Sequence, residues 1–255
     1  MGKRIKSLLR RLMPHTIRRH RILGGRLRGR HIVTSWHDYP AAILGKTEKH
    51  LLEWFEQNVN AGETWLDIGA HYGYTAIALS RLVGPRGRVF AFEPMLSTAG
   101  CLAQTRLLND LRQLTVIPFA LSSIEQLQLH RLPSVRGMID SKLRDQEATE
   151  GIVLARLDWL WPRLAGDEER IDGVKIDVEG MEIEVLRGMA GLLMACRPKM
   201  VIEVHEGVAR DELVHILEGL GYSPRAVPID PVPGETEPQY LDDRSYAFQA
   251  ARFPR

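Results

Sequence analysis

The chain has 255 residues, 44% of them hydrophobic and 26% charged, which excludes a disordered chain and allows one sizeable α/β core with an extension. No run reaches the roughly 18 apolar residues that a membrane-spanning helix needs, and no apolar signal region follows the basic start, so a soluble, cytoplasmic body is expected. Cys101 and Cys196 are the two cysteines and lack CxxC spacing, which gives no disulfide or metal framework and predicts buried, reduced thiols.

The net charge of +2 conceals an asymmetry. Of 34 Lys and Arg, 11 fall within residues 1–37, a stretch with no Asp or Glu, and the remaining 23 stand against 32 acids, a net of −9. This basic arm is read as residues 1–40. Within it, "IKSLLRRLM" puts Ile5, Leu8, Leu9, Leu12 and Met13 on one side at helical spacing and Lys6, Arg10 and Arg11 on the other, until Pro14 stops the pattern. Such a helix either packs its leucines on the domain or lies on an anionic membrane surface, here through residues 1–35 at the inner face. Nucleic acid is a third partner, which the negative body opposes.

Residues 41–255 read as the catalytic body. "TEKHLLEWFEQNV" has a helical period and ends at Asn60 to Gly62. Strands and helices then alternate: a strand at 64–68, a helix at 74–83, the strand "GRVFAF", a helix at 96–108, and a strand at 114–117. Extended runs follow at "LQLHRL" and "IVLARL", with residues 133–150 between them read as a loop. The strand "GVKIDV", a helix over 181–193, the strand "KMVIEV" and a helix over 208–220 come next; "PIDPVPGETEPQ" reads as an exposed loop and "SYAFQA" as an edge strand. Strands spaced by helices predict right-handed crossovers and a mostly parallel sheet covered on both faces, with ligands at the strands' carboxyl ends.

One such end carries "TWLDIGAHYGYTAIALS", a strand closing in Asp67 and a turn at Gly69 and Gly73 before a helix. A phosphate loop would need a Lys after its last glycine, and the dinucleotide fingerprint would need a third glycine and no acid beside the pyrophosphate. An acid at this turn suits a cationic ligand, and S-adenosylmethionine carries an ammonium and a sulfonium. Glu93, 26 residues after Asp67, ends the second strand where a carboxylate can accept both ribose hydroxyls of that ligand. A purely structural turn is the alternative. A second cluster places Asp177 at the end of the fourth strand with Glu179 and Glu182 around Gly180, and "IEVHE" adds His205 and Glu206 at the end of the fifth. Either these acids cap a helix or, together with His205, they serve chemistry.

The segments "WLDIGAHYGYTAIALSRLVGPRGRVFAFEP", "VIPFALSS", "ARLDWLW", "IDGVKIDVEGMEIEVLRG" and "PKMVIEVHE" together resemble the FkbM-type methyltransferase family. The resemblance implies a Rossmann-like class I fold, S-adenosylmethionine as cofactor, and O-methylation of a hydroxyl on a sugar, glycolipid or natural-product scaffold, with N-methylation as the alternative. It implies cofactor contacts from Asp67, Gly69, Ala70, His71 and Gly73, a ribose acid in Glu93, an adenine-flanking backbone at Ala120, and an acid before the first strand in Glu48. The family usually has Asn where this chain has His71. An alcohol acceptor must lose its proton, and His205 and Asp177 are the expected bases. As an alternative, Asp177, Glu179 and His205 hold a divalent ion that lowers the acceptor's pKa.

Overall fold

A computed structural model describes residues 13–124, 127–132, 134–135, 138–139, 150–166 and 170–251. The helix expected over residues 5–13 lies almost wholly outside them.

The first described elements are two strands, β1 (Arg18–Arg21) and β2 (His31–Thr34), paired antiparallel. The arm was expected to carry a helix whose leucines either pack on the domain or lie on a membrane surface; its described part is a hairpin stitched onto the body. Alternation explains this: His20 and Ile22 turn inward while Arg18, Arg19 and Arg21 stay in solvent, the period-2 pattern of a half-buried strand. After a short helix α1 (Pro40–Leu44) comes α2 (Lys49–Asn58). Ile22, Leu27, Ile32 and Val33 join a core cluster with Ile43, Phe55 and Trp65, so buried packing runs across position 40 without interruption.

The central sheet is built from β3 (Thr64–Ile68), β4 (Arg88–Phe92), β5 (Leu114–Ile117), β11 (Gly173–Ile176), β12 (Lys199–Val204), β13 (Val227–Pro228) and β14 (Arg244–Phe248). Its order is β13-β14-β12-β11-β3-β4-β5. The five strands from β12 to β5 are parallel, while β14 is antiparallel to β12 and β13 to β14. The winding reverses between β3 and β11, and ligands bind at such a switch point. Helices α3 (Tyr74–Val83) and α4 (Leu96–Leu108) link the strands on one side of the reversal. The hairpin packs on α4: Val33 N–H donates to Thr105 Oγ1 at 2.9 Å, and His31 exchanges two bonds with the Asn109 amide at 3.0 and 2.7 Å.

Between the two halves of the sheet lie β6 (Ala120–Leu121), β7 (Gln128–Leu132), β8 (Ser134–Val135), β9 (Met138–Ile139) and β10 (Glu150–Ala155). β10 pairs with β6 and β7, and β8 pairs with β9, so part of the expected loop is hairpin. The extended reading of "IVLARL" stops at Ala155, because α5 (Leu157–Ala165) begins there and buries Leu157, Leu160 and Trp161. The single helix expected over 181–193 is two, α6 (Glu182–Gly188) and α7 (Ala190–Cys196). Asp158 of α5 accepts the Gly191 and Leu192 N–H groups, both at 3.0 Å, and so satisfies donors that a new helix start exposes. A last helix, α8 (Arg210–Gly219), precedes β13. Because β13 pairs outside it, β14 is not the expected edge.

Gly173 opens β11 under the Trp65 indole, where an added Cβ would meet ring atoms at 2.2 Å. Gly100, inside α4, faces open space. Gly173→Ala is expected to lose about 1–3 kcal/mol by overpacking, and Gly100→Ala to gain about 0.5–1 kcal/mol from helix propensity. Denaturant titration of the two variants checks both signs.

Candidate active site

The turn after β3 has three residues in the left-handed region within five positions: Gly69 at φ 80°, His71 at φ 49° and Gly73 at φ 90°. Gly69 is required on spatial grounds as well, because a Cβ there would lie 1.7 Å from the Asp177 carbonyl oxygen. Gly73 caps α3, and its Cβ would meet Leu102 Cδ1 at 2.2 Å, so it serves helix packing. A non-glycine at position 71 must tolerate left-handed backbone, and Asn and His are both enriched there. The family's usual Asn and this chain's His71 therefore satisfy one backbone requirement. The imidazole packs between Tyr39 and Tyr72, with ring centroids 5.0 and 4.3 Å away.

A cleft of about 290 Å³ opens at the carboxyl ends of the parallel strands. Of the residues expected at a site, Gly69, His71, Glu93, Ala120 and Glu48 line it, together with Asp177, Glu179 and His205. Asp67, Ala70 and Gly73 do not line it. Asp67 is fully buried behind the wall, where it accepts the Thr75 hydroxyl at 2.7 Å. Its acid therefore shapes the turn from beneath. Asp38 and Tyr39, from the segment before α1, also line the cleft.

What meets Asp67 is Lys175, which the sequence reading passed over. The register pairs Lys175 with Asp67 across β11 and β3. Its Nζ donates to the Gly69 carbonyl at 2.9 Å and lies 3.1 Å from Asp177 Oδ2 and 3.3 Å from Asp67 Oδ1. Burial would lower the ammonium pKa, but the charges of Asp177, Asp67 and Glu48 outweigh it and raise the pKa above its ordinary value. The detectable signal was a lysine in the middle of an apolar parallel strand, "GVKI", where both faces are covered.

At one end of the cleft stands Glu93, 4% exposed. Its two oxygens accept N–H groups from His71 at 2.9 Å and Met95 at 3.0 Å. Each oxygen keeps a second lone pair. Burial pushes this carboxyl up to about 7 despite those two bonds. Glu48, at the start of α2, is likewise raised by burial and then by the charge of Asp177.

The other end gathers Asp177, Glu203 and His205. Glu182, fully buried, bonds His205 Nδ1 at 2.6 Å. His205 Nε2 faces Asp177 Oδ1 at 3.4 Å, Glu203 Oε1 at 3.8 Å and Glu179 Oε2 at 4.0 Å. Burial lowers the imidazole pKa, but the Glu182 bond and the Asp177 charge overcome it and lift the pKa to about 9. Glu203 is pushed up to about 8 by burial and by the charges of Asp177 and Glu48. Strand alternation puts Glu203 and His205 on one face of β12 and its continuation. Glu206, which the sequence reading paired with His205, is exposed and outside the cleft lining. The metal set also changes: among the described residues, the group with ligand atoms within 4.8 Å of one another is Asp177, Glu203 and His205, without Glu179.

A parallel sheet that reverses at a glycine turn, with acids at the next strand ends, is a Rossmann-like α/β arrangement. The chain belongs to the Methyltransferase FkbM domain family, whose model matches residues 67–224. It is similar to the hexuronic acid methyltransferase AglP of Haloferax volcanii, at 27% identity over 164 residues; the match spans 59% of this chain and 59% of that relative. Among solved structures it is similar to an FkbM methyltransferase from Methylobacillus flagellatus, at 17% identity and a TM-score of 0.49, covering 77% of this chain and 50% of that one. The fibrillarin of Aeropyrum pernix, solved with natively bound S-adenosyl-L-methionine, is similar at 17% identity and a TM-score of 0.49, covering 92% and 88%.

Removing one member of a buried ion network leaves the others uncompensated, at a cost of about 3–5 kcal/mol. Lys175→Met is expected to lose that much in chemical denaturation, and much less when combined with Asp67→Asn. Equal losses in the single and double variants would mean that the ammonium and Asp67 are not coupled.

Proposed function

We propose that the protein transfers a methyl group from S-adenosylmethionine to a hydroxyl of a sugar. The observation that carries this reading is one cleft with two chemically distinct ends: Glu93 beside the glycine turn, and the Asp177, Glu203 and His205 group opposite. The residues present fit the cofactor. Glu93 has two lone pairs for ribose hydroxyls, Gly69 and Ala120 leave the wall low, and the acids suit a ligand with cationic groups. When bound, the cofactor supplies a methyl group on a sulfonium, a neutral leaving group. The chain's part is alignment of the acceptor oxygen with that carbon, which effective molarities of about 10⁵–10⁸ M show to be a large contribution. The hydroxyl proton goes to a carboxylate at the acidic end, where Asp177 and Glu179 both face the cleft.

The sugar assignment draws on AglP, whose name specifies a hexuronic acid. Such a sugar offers both hydroxyls and a carboxylate. Incubation with methyl-labelled cofactor and a panel of hexoses, hexuronic acids and their glycosides tests the reading. Label that survives mild alkali is an ether and supports it; alkali-labile label is a methyl ester, and labelling confined to amines or nucleic acid overturns the assignment.

Hydrogen bonds to a charged acceptor contribute about 1.5–3 kcal/mol each, so Glu93→Ala is expected to weaken cofactor binding at least tenfold by calorimetry. The pH dependence has a definite sign. The free carboxyl titrates at about 7, and ribose hydroxyls donate best to its ionised form. Affinity is therefore highest above pH 7 and falls as pH drops through it, whereas Glu93→Gln should show a flat profile over the same range. At the acidic end, His205→Ala is expected to retain cofactor affinity and lose turnover by about 10²-fold or more; unchanged kcat would remove His205 from the chemistry.

A further inference from the structure

The geometry points to a divalent cation site formed by Asp177 Oδ1, Glu203 Oε1 and His205 Nε2, with the acceptor's adjacent oxygens completing the coordination. This inference rests on the methyl-transfer reading and deepens it by specifying the acceptor: a sugar presenting two neighbouring oxygens, as a vicinal diol or an α-hydroxy acid does.

The first ground is spacing. The three ligand atoms lie within 4.8 Å of one another, and Nε2 is 3.4 Å and 3.8 Å from the two carboxylate oxygens. Cis donors on an ion with bonds of about 2.1 Å sit about 3 Å apart, so Nε2 needs to close on each of the two carboxylate oxygens by less than an ångström. Direct charge-assisted hydrogen bonds would instead be expected at about 2.7–2.9 Å, shorter than either gap.

The second ground is independent of the acids. His205 is 6% exposed, and its Nδ1 is held by the fully buried Glu182 at 2.6 Å. Among the described residues its Nε2 makes no hydrogen bond, and it faces the cleft carboxylates. A carboxylate that fixes one imidazole nitrogen while the other points into a cleft is the outer partner that metal-ligating histidines use to set ring orientation and raise basicity. Asp177 is braced in the same way, because its other oxygen is engaged by Lys175 at 3.1 Å. Both ligands are therefore fixed from behind.

The donor set is two carboxylates and one imidazole. Carboxylates suit Mg²⁺ and Mn²⁺ while imidazole extends the range towards later transition metals, and Mn²⁺ accepts both. A cation here also relieves the repulsion among Asp177, Glu179, Glu182 and Glu203, and it gives an acceptor bearing a carboxylate or a diol something positive to bind. Glu179, 4.0 Å from Nε2 and outside the ligand set, then remains as the carboxylate available to take the hydroxyl proton.

The test uses the full chain stripped with EDTA and titrated with Mn²⁺, followed by calorimetry and by the electron paramagnetic resonance of the free ion. One Mn²⁺ per chain is expected. Glu203→Gln and His205→Gln should each abolish binding, Glu182→Gln should weaken it about 10–100-fold, and Glu212→Gln, on the exposed surface, should leave it unchanged. Cofactor binding measured on the same stripped samples separates the two readings. If S-adenosylmethionine binds and Mn²⁺ does not, the cation inference falls and a protonated His205 is the positive charge among these acids. If Mn²⁺ binds equally to Glu203→Gln and His205→Gln, the ion sits elsewhere and the inference is likewise overturned. Loss of cofactor binding from the unsubstituted protein would count against the methyl-transfer reading, whatever Mn²⁺ does.

Discussion

A single ammonium group stands where the sheet changes direction. Lys175 reaches from β11 to the Gly69 carbonyl in the turn after β3, with Asp67 beneath and Asp177 beside it. These partners come from chain segments more than a hundred residues apart. Without the cation, two carboxylates would face each other across the switch point and the turn would lose the donor that holds its carbonyl. Buried ion pairs are weak sources of net stability, because desolvation offsets most of the attraction. Their better-attested use is to specify register. A one-residue slip of β11 would carry Lys175 to the opposite face, leaving Asp67 uncompensated inside the core. The network therefore fixes which turn meets which strand end, and the cleft inherits its shape from that choice.

From this fixed point the cleft divides by chemistry. Towards β4, the donors are backbone N–H groups and the acceptor is one buried carboxylate, Glu93, whose occupied lone pairs orient the free ones. Towards β12, the groups are carboxylates and an imidazole with little backbone between them. The first arrangement suits recognition of a ligand that keeps its protonation state. The second suits a place where a proton or a cation is exchanged, because several titratable groups there hold one another away from their ordinary values.

Much of this architecture was legible from the pattern of apolar residues. The strands at 64–68 and 114–117 and the helices at 74–83 and 96–108 have the expected bounds, because each couples an uninterrupted period to a clear glycine or polar stop. The errors have physical causes. The arginines of β1 concealed a period-2 alternation in which His20 and Ile22 turn inward. The extended reading of "IVLARL" ran on to Leu157, the first residue of a helix, α5, that buries Trp161 and has Pro162 inside it. The run after Glu182 looks like one helix because nothing local shows that Asp158, more than thirty residues earlier, caps a second one. At the site, residues next to glycine turns and strand ends were found because sequence position alone places them. Lys175 and Glu203 were missed because their roles depend on which strands are neighbours, and that is a property of the sheet order.

The family match covers residues 67–224, yet Asp38, Tyr39, Thr47 and Glu48 also line the cleft. The wall is thus made by two parts of the chain with different obligations. The matched part must satisfy left-handed turns, the Lys175 network and the buried Glu93 carboxylate, requirements that admit few side chains at each position. The earlier segment meets no such backbone constraint at the cleft, apart from the left-handed Glu48. It is nonetheless anchored, because the hairpin before it is bonded to α4 and buried against the core. That support carries Asp38, Tyr39, Thr47 and Glu48 into the cleft wall, with Asp38 accepting the Ser35 hydroxyl at 2.6 Å. Under the proposed reading, acceptor recognition therefore draws on residues 38–48 as well as on the motifs that place the chain in its family.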